Sequence, residues 1–399
     1  MSNKKKSYFY ILLFQLLGGV LMFLLKAEDE VTTKSLIAIS SVLIVGFVNV
    51  WLNKRLIGYD LFYVLVSMLF SIGTLEIFRL NSEYGVKQMI WFLIGVAFMY
   101  VSYMIIKNTD FHEYFFYMFV GAIYILFLYT LLFGINRNGA RNWVSIYGHL
   151  FQPVELIKLL FIFQLATLEN SSFTKIKYYK LINEAIAFSY FGLLFLQRDL
   201  GSALLLFIIY ISYLYVFESE RKYFAVTLIL FSAFAVIGFL VLPHVRIRFM
   251  VWTNPFKYFA KKGYQIVTAL TAIANGGLFG TGIGLGIPNI IPVNISDMIL
   301  AAIGEEMGTI MILNILIIYV IFFSYSLKLA KYVSHKYYKK LAVLIPVSIV
   351  SQFFVILMGT LNMIPLTGVT APFISYGGSS MISSFMMLGV LQAALRKNV

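Results

Sequence analysis

ILAAIGEEMGTIMILNILIIYVIFFSYSL, residues 299–327, decides the fold. It exceeds the roughly 20 apolar residues a helix needs to cross a bilayer, and its charges are confined to Glu305 and Glu306. Runs of the same kind recur on both sides of it. They predict spans at 7–26, 33–52, 60–79, 87–106, 112–133, 151–169, 181–197, 200–217, 223–242, 299–327, 341–361 and 380–395, about twelve in all. The runs lack the alternation of β-barrel strands. The expectation is therefore an all-α polytopic membrane protein with a large outer loop and re-entrant segments.

Composition agrees. The chain of 399 residues is 61% hydrophobic and 12% charged, with mean hydropathy +0.88. Soluble domains are less apolar and about twice as charged, at roughly a quarter. No stretch is long and polar enough for a soluble domain, so the helices themselves must carry the function. With no cysteine, disulfides and thiolate metal sites are excluded. The net charge of +14 reports topology and attraction to anionic membrane lipid rather than nucleic-acid binding. Residues 1–26 resemble a signal peptide but lack a small-residue cleavage site, and read as an uncleaved first helix.

Threading the spans with the N-terminus in the cytoplasm places a basic series inside. It comprises Lys54 and Arg55; Lys107; Lys175, Lys177 and Lys180; Arg221 and Lys222; Lys328 to Lys340; and Arg396 and Lys397 near a cytoplasmic C-terminus. The opposite side opens with the acidic turn Glu28, Asp29, Glu30 and holds the long loops bearing glycine and proline. A basic cluster there, Arg246, Arg248, Lys257, Lys261 and Lys262, breaks the positive-inside rule. Binding of an anionic ligand would account for it.

Five segments carry candidate chemistry. Asn138-Gly-Ala-Arg141-Asn-Trp143 precedes Gln152-Pro-Val-Glu155, where Glu155 and Lys158 share a helix face and pair, most simply as a structural ion pair. In Gln197-Arg-Asp199-Leu-Gly-Ser202, Asp199 reads as a helix cap. The segment 243–298 holds His244-Val-Arg246-Ile-Arg248, Gln265 and a glycine-dense run from Asn275 to Gly286. That run suits either an anion nest or tight helix packing. Pro292-Val-Asn-Ile-Ser-Asp297 leads into Gly304-Glu305-Glu306-Met-Gly308. Asp297 is placed as a general base or a helix cap, and two adjacent acids inside a span are hard to read as structural alone. Finally, Pro365 to Ser380, with its glycines, prolines and hydroxyls, Ser375 and Ser379 among them, requires an ordered re-entrant element.

In this order the segments closely resemble the SEDS family of cell-wall polymerases, to which FtsW, RodA and SpoVE belong. The resemblance covers roughly residues 134–397. Its most specific part is Pro365-Leu-Thr-Gly through Pro372-Phe-Ile-Ser-Tyr-Gly-Gly-Ser-Ser380. Residues 1–133 then form five N-terminal spans, two more than usual for the family, and 134–399 the polymerase core of one integral membrane domain. The turn reads Arg198-Asp-Leu-Gly201 where the family usually has proline before the acid, and Ser296-Asp297-Met298 lacks the usual aromatic.

The resemblance implies a glycosyltransferase that polymerises lipid II on the outer face of the cytoplasmic membrane, beside a class B penicillin-binding protein. It places the family's essential acid on Asp297, and its Glu and Lys on Glu155 and Lys158. Asp297 is then expected as the base, with inversion at the anomeric carbon and undecaprenyl pyrophosphate leaving. Arg246 and Arg248, with Lys261 or Lys262, are expected to receive the diphosphate. Arg141, Gln265, Glu305, Glu306, Ser375 and Ser379 join the substrate-binding set. A divalent cation, Mg2+ or Mn2+, is compatible with the diphosphate role. Two other classes remain open: a lipid-linked precursor transporter, which needs a polar path right through the bundle, and a non-catalytic scaffold indifferent to Asp297.

Overall fold

The computed structural model describes residues 13, 59–109, 115–137, 140–146 and 148–397. The predicted spans 7–26 and 33–52, the acidic turn at 28–30, Lys54 and Arg55, and Asn138 and Gly139 lie outside the described residues.

Each predicted span from 60–79 onward is a helix. In chain order these are α1 (Asp60–Leu80), α2 (Ser82–Asn108), α3 (Phe115–Phe133), α4 (Pro153–Thr167), α5 (Tyr179–Leu196), α6 (Leu200–Phe217) and α7 (Arg221–Val241). After the intervening segment come α10 (Ile299–Ala330), α11 (Lys336–Thr360) and α12 (Gly378–Ala394). Among the described residues seven helices, α1, α2, α3, α6, α7, α10 and α11, are long and apolar enough to cross a membrane. The segment expected as a large loop holds α8 (Pro243–Thr253), α9 (Tyr264–Gly276) and ordered turns.

The ends of these helices follow local chemistry. Asn81 accepts from the Glu83 and Tyr84 amides at the start of α2, Asp199 caps α6 through the Ser202 amide, and Pro153 and Pro243 open α4 and α8 where a missing N–H costs nothing. Helices α1 and α11 are the most enclosed of the long spans, whereas α7 is almost wholly outward-facing. Helix α2 lies along α12, with Gly389 against the Met99 carbonyl and Gly95 against the Phe385 ring, so small residues allow the close approach.

The helical expectation holds, with one short sheet added to it. Strands β1 (Ile135–Arg137), β2 (Ala140–Ile146) and β3 (His149–Phe151) form an antiparallel sheet in that order between α3 and α4. The stretch Trp143-Val-Ser-Ile146 is aromatic and β-branched, and Gly148 adopts φ +81° in the turn pairing Ile146 with His149. A strand pair this short leaves little periodicity to read in a chain dominated by apolar helices.

Helix α10 is interrupted. Gly308 takes φ 82° and ψ 169°, which splits a short first section from the long span. The glycine-dense run lies alongside the break and uses the freed backbone groups. The Thr281 amide donates to the Glu305 carbonyl at 2.9 Å, the Gly282 amide to the Glu306 carbonyl at 3.1 Å, and the Thr309 amide to the Gly277 carbonyl at 3.0 Å. Irregular backbone inside a bundle is sustained by such exchange.

Candidate functional site

Three carboxylate-bearing or basic elements converge on the re-entrant segment 361–377 between α11 and α12. Asp297 immediately precedes Met298, the residue at the mouth of α10, whose first turn has no side-chain cap. The Asp297 Oδ2 lies beside Gly368, 3.6 Å from where a Cβ there would stand, and Gly368 itself has φ +76°. A side chain at 368 would be strained at that φ and would stand in contact with the acid.

Arg248 reaches the same place from α8. Its Nη1 donates to the Leu366 carbonyl at 3.2 Å and the Thr367 carbonyl at 3.4 Å. Burial pushes its guanidinium below the usual value, and the charges of Asp199 and Asp297 oppose that shift. The N-terminus of α6 completes the group, with Gly201 packed on the Thr367 carbonyl. Asp199 accepts from the Asn142 side chain at 2.6 Å and from the Ser202 hydroxyl at 2.9 Å. Trp252 and Asn362 exchange hydrogen bonds at 3.0 and 3.1 Å, fixing α8 to the turn after α11. The structure thus assembles Asp297, Arg248 and Asp199 around residues 366–368.

The loop that carries Asp297 is pinned from below. The Ser375 hydroxyl donates to the Ser296 carbonyl at 2.7 Å and accepts from the Ala371 amide, while the Tyr376 amide donates to the Ile295 carbonyl. Ser379 accepts from the Gln152 amide at 3.3 Å. Both serines hold backbone in place.

Glu155 and Lys158 pair at 2.9 Å, as their spacing predicts. They lie deep in the bundle. Lys158 also donates to Gln352, whose amide donates to the Thr370 carbonyl at 2.8 Å, and Ser383 donates to the Glu155 carbonyl. The chain of contacts bolts α4 and α11 to the underside of the re-entrant segment.

Glu305 and Glu306 face the glycine-dense run. Glu305 accepts from the Ile287 amide at 3.2 Å and Glu306 from the Gly284 amide at 3.1 Å. Arg79 of α1 pairs with Glu306 at 2.7 Å and donates to the Gly286 carbonyl at 3.2 Å. Glu76, one turn earlier and fully buried, adds a third carboxylate to this group. The two acids of the Glu-Glu motif are latches for the glycine loop.

The remaining expected residues separate. Arg246 is exposed and donates to the Leu240 carbonyl at 2.7 Å. Residues two apart on a helix do not share a face, so it does not join Arg248. Arg141 donates to the Gly134 and Leu132 carbonyls, closing its own loop. Gln265 is half-buried on α9 and Lys262 exposed, while Lys261 lies in the π-helical turn 259–263. Lys262, Arg198 and Arg248 all act on His244, whose imidazolium is pushed below its usual value by burial first and by these cations second. Among the described residues no group of three or more His, Asp or Glu side chains is arranged to hold a metal ion.

Sequence reasoning missed Arg79, Asn142 and Gln352. Arg79 was legible as a basic residue at a span end away from the basic side, and Gln352 as a lone amide within 341–361. Nothing in the sequence marks the Asn142–Asp199 contact.

The fold and this site define a polytopic helical membrane protein with an acid and an arginine gathered on a re-entrant loop at one end of the bundle. The chain belongs to the FtsW, RodA and SpoVE family of cell cycle proteins, whose profile matches residues 52–399. It is 32% identical over 353 residues to peptidoglycan glycosyltransferase RodA of Mycobacterium leprae, covering 82% of this chain and 75% of that protein. It is 28% identical over 365 residues to the probable peptidoglycan glycosyltransferase FtsW of Geobacter sulfurreducens, covering 86% and 97%. Its fold is similar to the rod shape determining protein RodA of Thermus thermophilus, with TM-score 0.60 at 22% identity over 86% of this chain and 99% of that one. A chain from a peptidoglycan synthase complex that coordinates polymerization and crosslinking superposes with TM-score 0.68 at 21% identity and the same coverage.

Proposed function

We propose that this protein is a peptidoglycan glycosyltransferase that polymerises lipid II, with Asp297 as the general base. The convergence of Asp297 and Arg248 on residues 366–368 carries the reading, with the names of its family relatives beside it. In the proposed step Asp297 takes the proton of the 4-hydroxyl of one sugar. That oxygen bonds to the anomeric carbon of the muramyl sugar and inverts it. The bond to undecaprenyl pyrophosphate breaks, and Arg248 stabilises the departing diphosphate. Arginine suits this because its planar fork bonds phosphate oxygens bidentately. Lys262 and Arg198 add positive potential from the flank. Glu155, Lys158, Ser375 and Ser379 position the floor, and Glu305 and Glu306 the glycine loop.

The positive-inside distribution supports cytoplasmic termini and an Asp297 end facing outward. A class B penicillin-binding protein is the proposed partner, since a structural neighbour comes from a synthase that couples polymerization to crosslinking. The deciding experiment is polymerisation of labelled lipid II by purified wild type and Asp297→Asn, with and without the transpeptidase. Normal product from the variant would remove Asp297 as the base.

A further inference from the structure

At the opposite end of the bundle a cavity of about 30 Å³ lies between the ends of α5, α6 and α7, and it takes no part in the chemistry above. Nearly every charge around it is paired. Lys180 meets Glu218 at 2.7 Å and Glu220 at 2.8 Å, Lys222 meets Glu220 at 2.5 Å, and Lys340 meets Glu169 at 3.1 Å. Glu184 is the exception. It is 5% exposed, yet among the described residues no basic side chain forms an ion pair with it. Its two oxygens share the Thr227 hydroxyl at 2.9 Å each, and the Tyr210 hydroxyl bonds to it as well. Beside it stands Asn183, 3% exposed, whose Nδ2 donates to the Tyr210 oxygen at 3.3 Å. The Asn183 Oδ1 is buried with no hydrogen-bond partner.

A buried carboxylate with only neutral partners and an orphaned carbonyl oxygen at its side are each costly, and both are relieved by a cation. The donors are all oxygen, which selects hard ions. One excess carboxylate calls for one positive charge; a divalent ion would want more carboxylate ligands. The cavity has room for an ion and roughly one water, since a water needs about 10–15 Å³ by the same measure. We propose that Glu184 and the Asn183 carbonyl oxygen bind a monovalent alkali cation, sodium or potassium, which fastens α5 to α6 and α7 through Tyr210 and Thr227.

The test is thermal unfolding of the purified full chain in sodium, potassium or N-methyl-D-glucamine chloride at equal ionic strength, for wild type, Glu184→Gln and Asn183→Leu. The expected result is a saturable rise in wild-type Tm of about 2 °C or more in one alkali ion over the organic cation. That rise should be lost in Glu184→Gln and weakened in Asn183→Leu. Identical wild-type melts in all three salts would overturn the proposal whether or not the variants fold. So would an alkali-specific rise that persists in Glu184→Gln. A wild-type Tm that follows pH and ignores the cation would show that Glu184 holds a proton instead, and would also overturn it.

Discussion

At the Lys180 end of the bundle, side chains neutralise side chains: Lys180, Lys222 and Lys340 each close on a glutamate. At the Asp297 end, Arg248 gives its hydrogen bonds to the Leu366 and Thr367 carbonyls, and Asp199 takes its own from Asn142 and Ser202. Charges held by neutral groups keep their field available to a ligand, whereas paired charges cancel it within a few ångströms. The backbone differs in the same way. Helices close the Lys180 end, while the other is built from residues that leave helical geometry: Arg198, Val293, Asn362 and Phe373 all have positive φ, as do Gly308 and Gly368. Non-glycine residues in that region cost about 1–3 kcal/mol each and cluster where a site is held in place.

The contrast is broken most severely at Asp297. Asp297→Asn keeps the shape of the side chain and removes the proposed base, so lipid II polymerisation should fall by roughly 10²–10⁴-fold with little change in Tm. A variant that melts early and polymerises at the wild-type rate would assign the residue to folding. Next is the latch between α1 and the glycine loop. Arg79→Leu leaves Glu306 buried against Glu76 and Glu305 without its cation, and should cost about 3–5 kcal/mol of stability. Adding Glu306→Gln should restore much of that, because the amide oxygen still accepts from Gly284 while the stranded charge is gone. Additive losses in the melts of the two singles and the double would mean that the pair does not couple.

Arg248→Lys sharpens the comparison further. The lysine keeps the charge but cannot span two carbonyls and a phosphate at once. Polymerisation should drop about 10–100-fold, through kcat more than KM, since in the proposed step the charge it meets develops as the diphosphate departs. A drop confined to KM would place Arg248 in ground-state binding alone.

How much of this was legible depended on the range of the interaction. Helices announce themselves locally, so each span from 60–79 onward is where the apolar run placed it, and the Glu155–Lys158 pair follows from i,i+3 spacing. The Asp199 cap is equally local. The site is not. Arg79 and Glu306 lie 227 positions apart, and Lys158 and Gln352 194 apart; only the packed bundle decides that they meet. Local adjacency says little about where the two arginines of one short helix, Arg246 and Arg248, end up. At two-residue spacing the helix sends them to different faces, and Arg246 ends on the Leu240 carbonyl. The Glu-Glu motif was legible as a pair of costly acids inside a span, but not its partners: the broken helix at Gly308 sets both acids against the glycine loop.

The smallest effect belongs to the paired end. Glu220 is held down to a pKa of about 2 by its hydrogen bonds to Lys180 and Lys222, with their charges adding to the effect. A carboxylate whose folded pKa is depressed contributes stability that is present above its ordinary value, about 4.3, and is lost as pH falls through the folded value. Its contribution should therefore be constant through neutral pH and decline only between roughly pH 4 and pH 2. Because Glu220 is exposed, solvent and salt screen the pairs, and Glu220→Gln should shift the neutral-pH melt by little more than its scatter. The variant should still flatten the acid limb of a Tm-against-pH curve, and added salt should do the same to the wild type. A neutral-pH loss as large as that of Arg79→Leu would show that this end, too, depends on individual charges, and the distinction between a neutralised end and a poised end would fail.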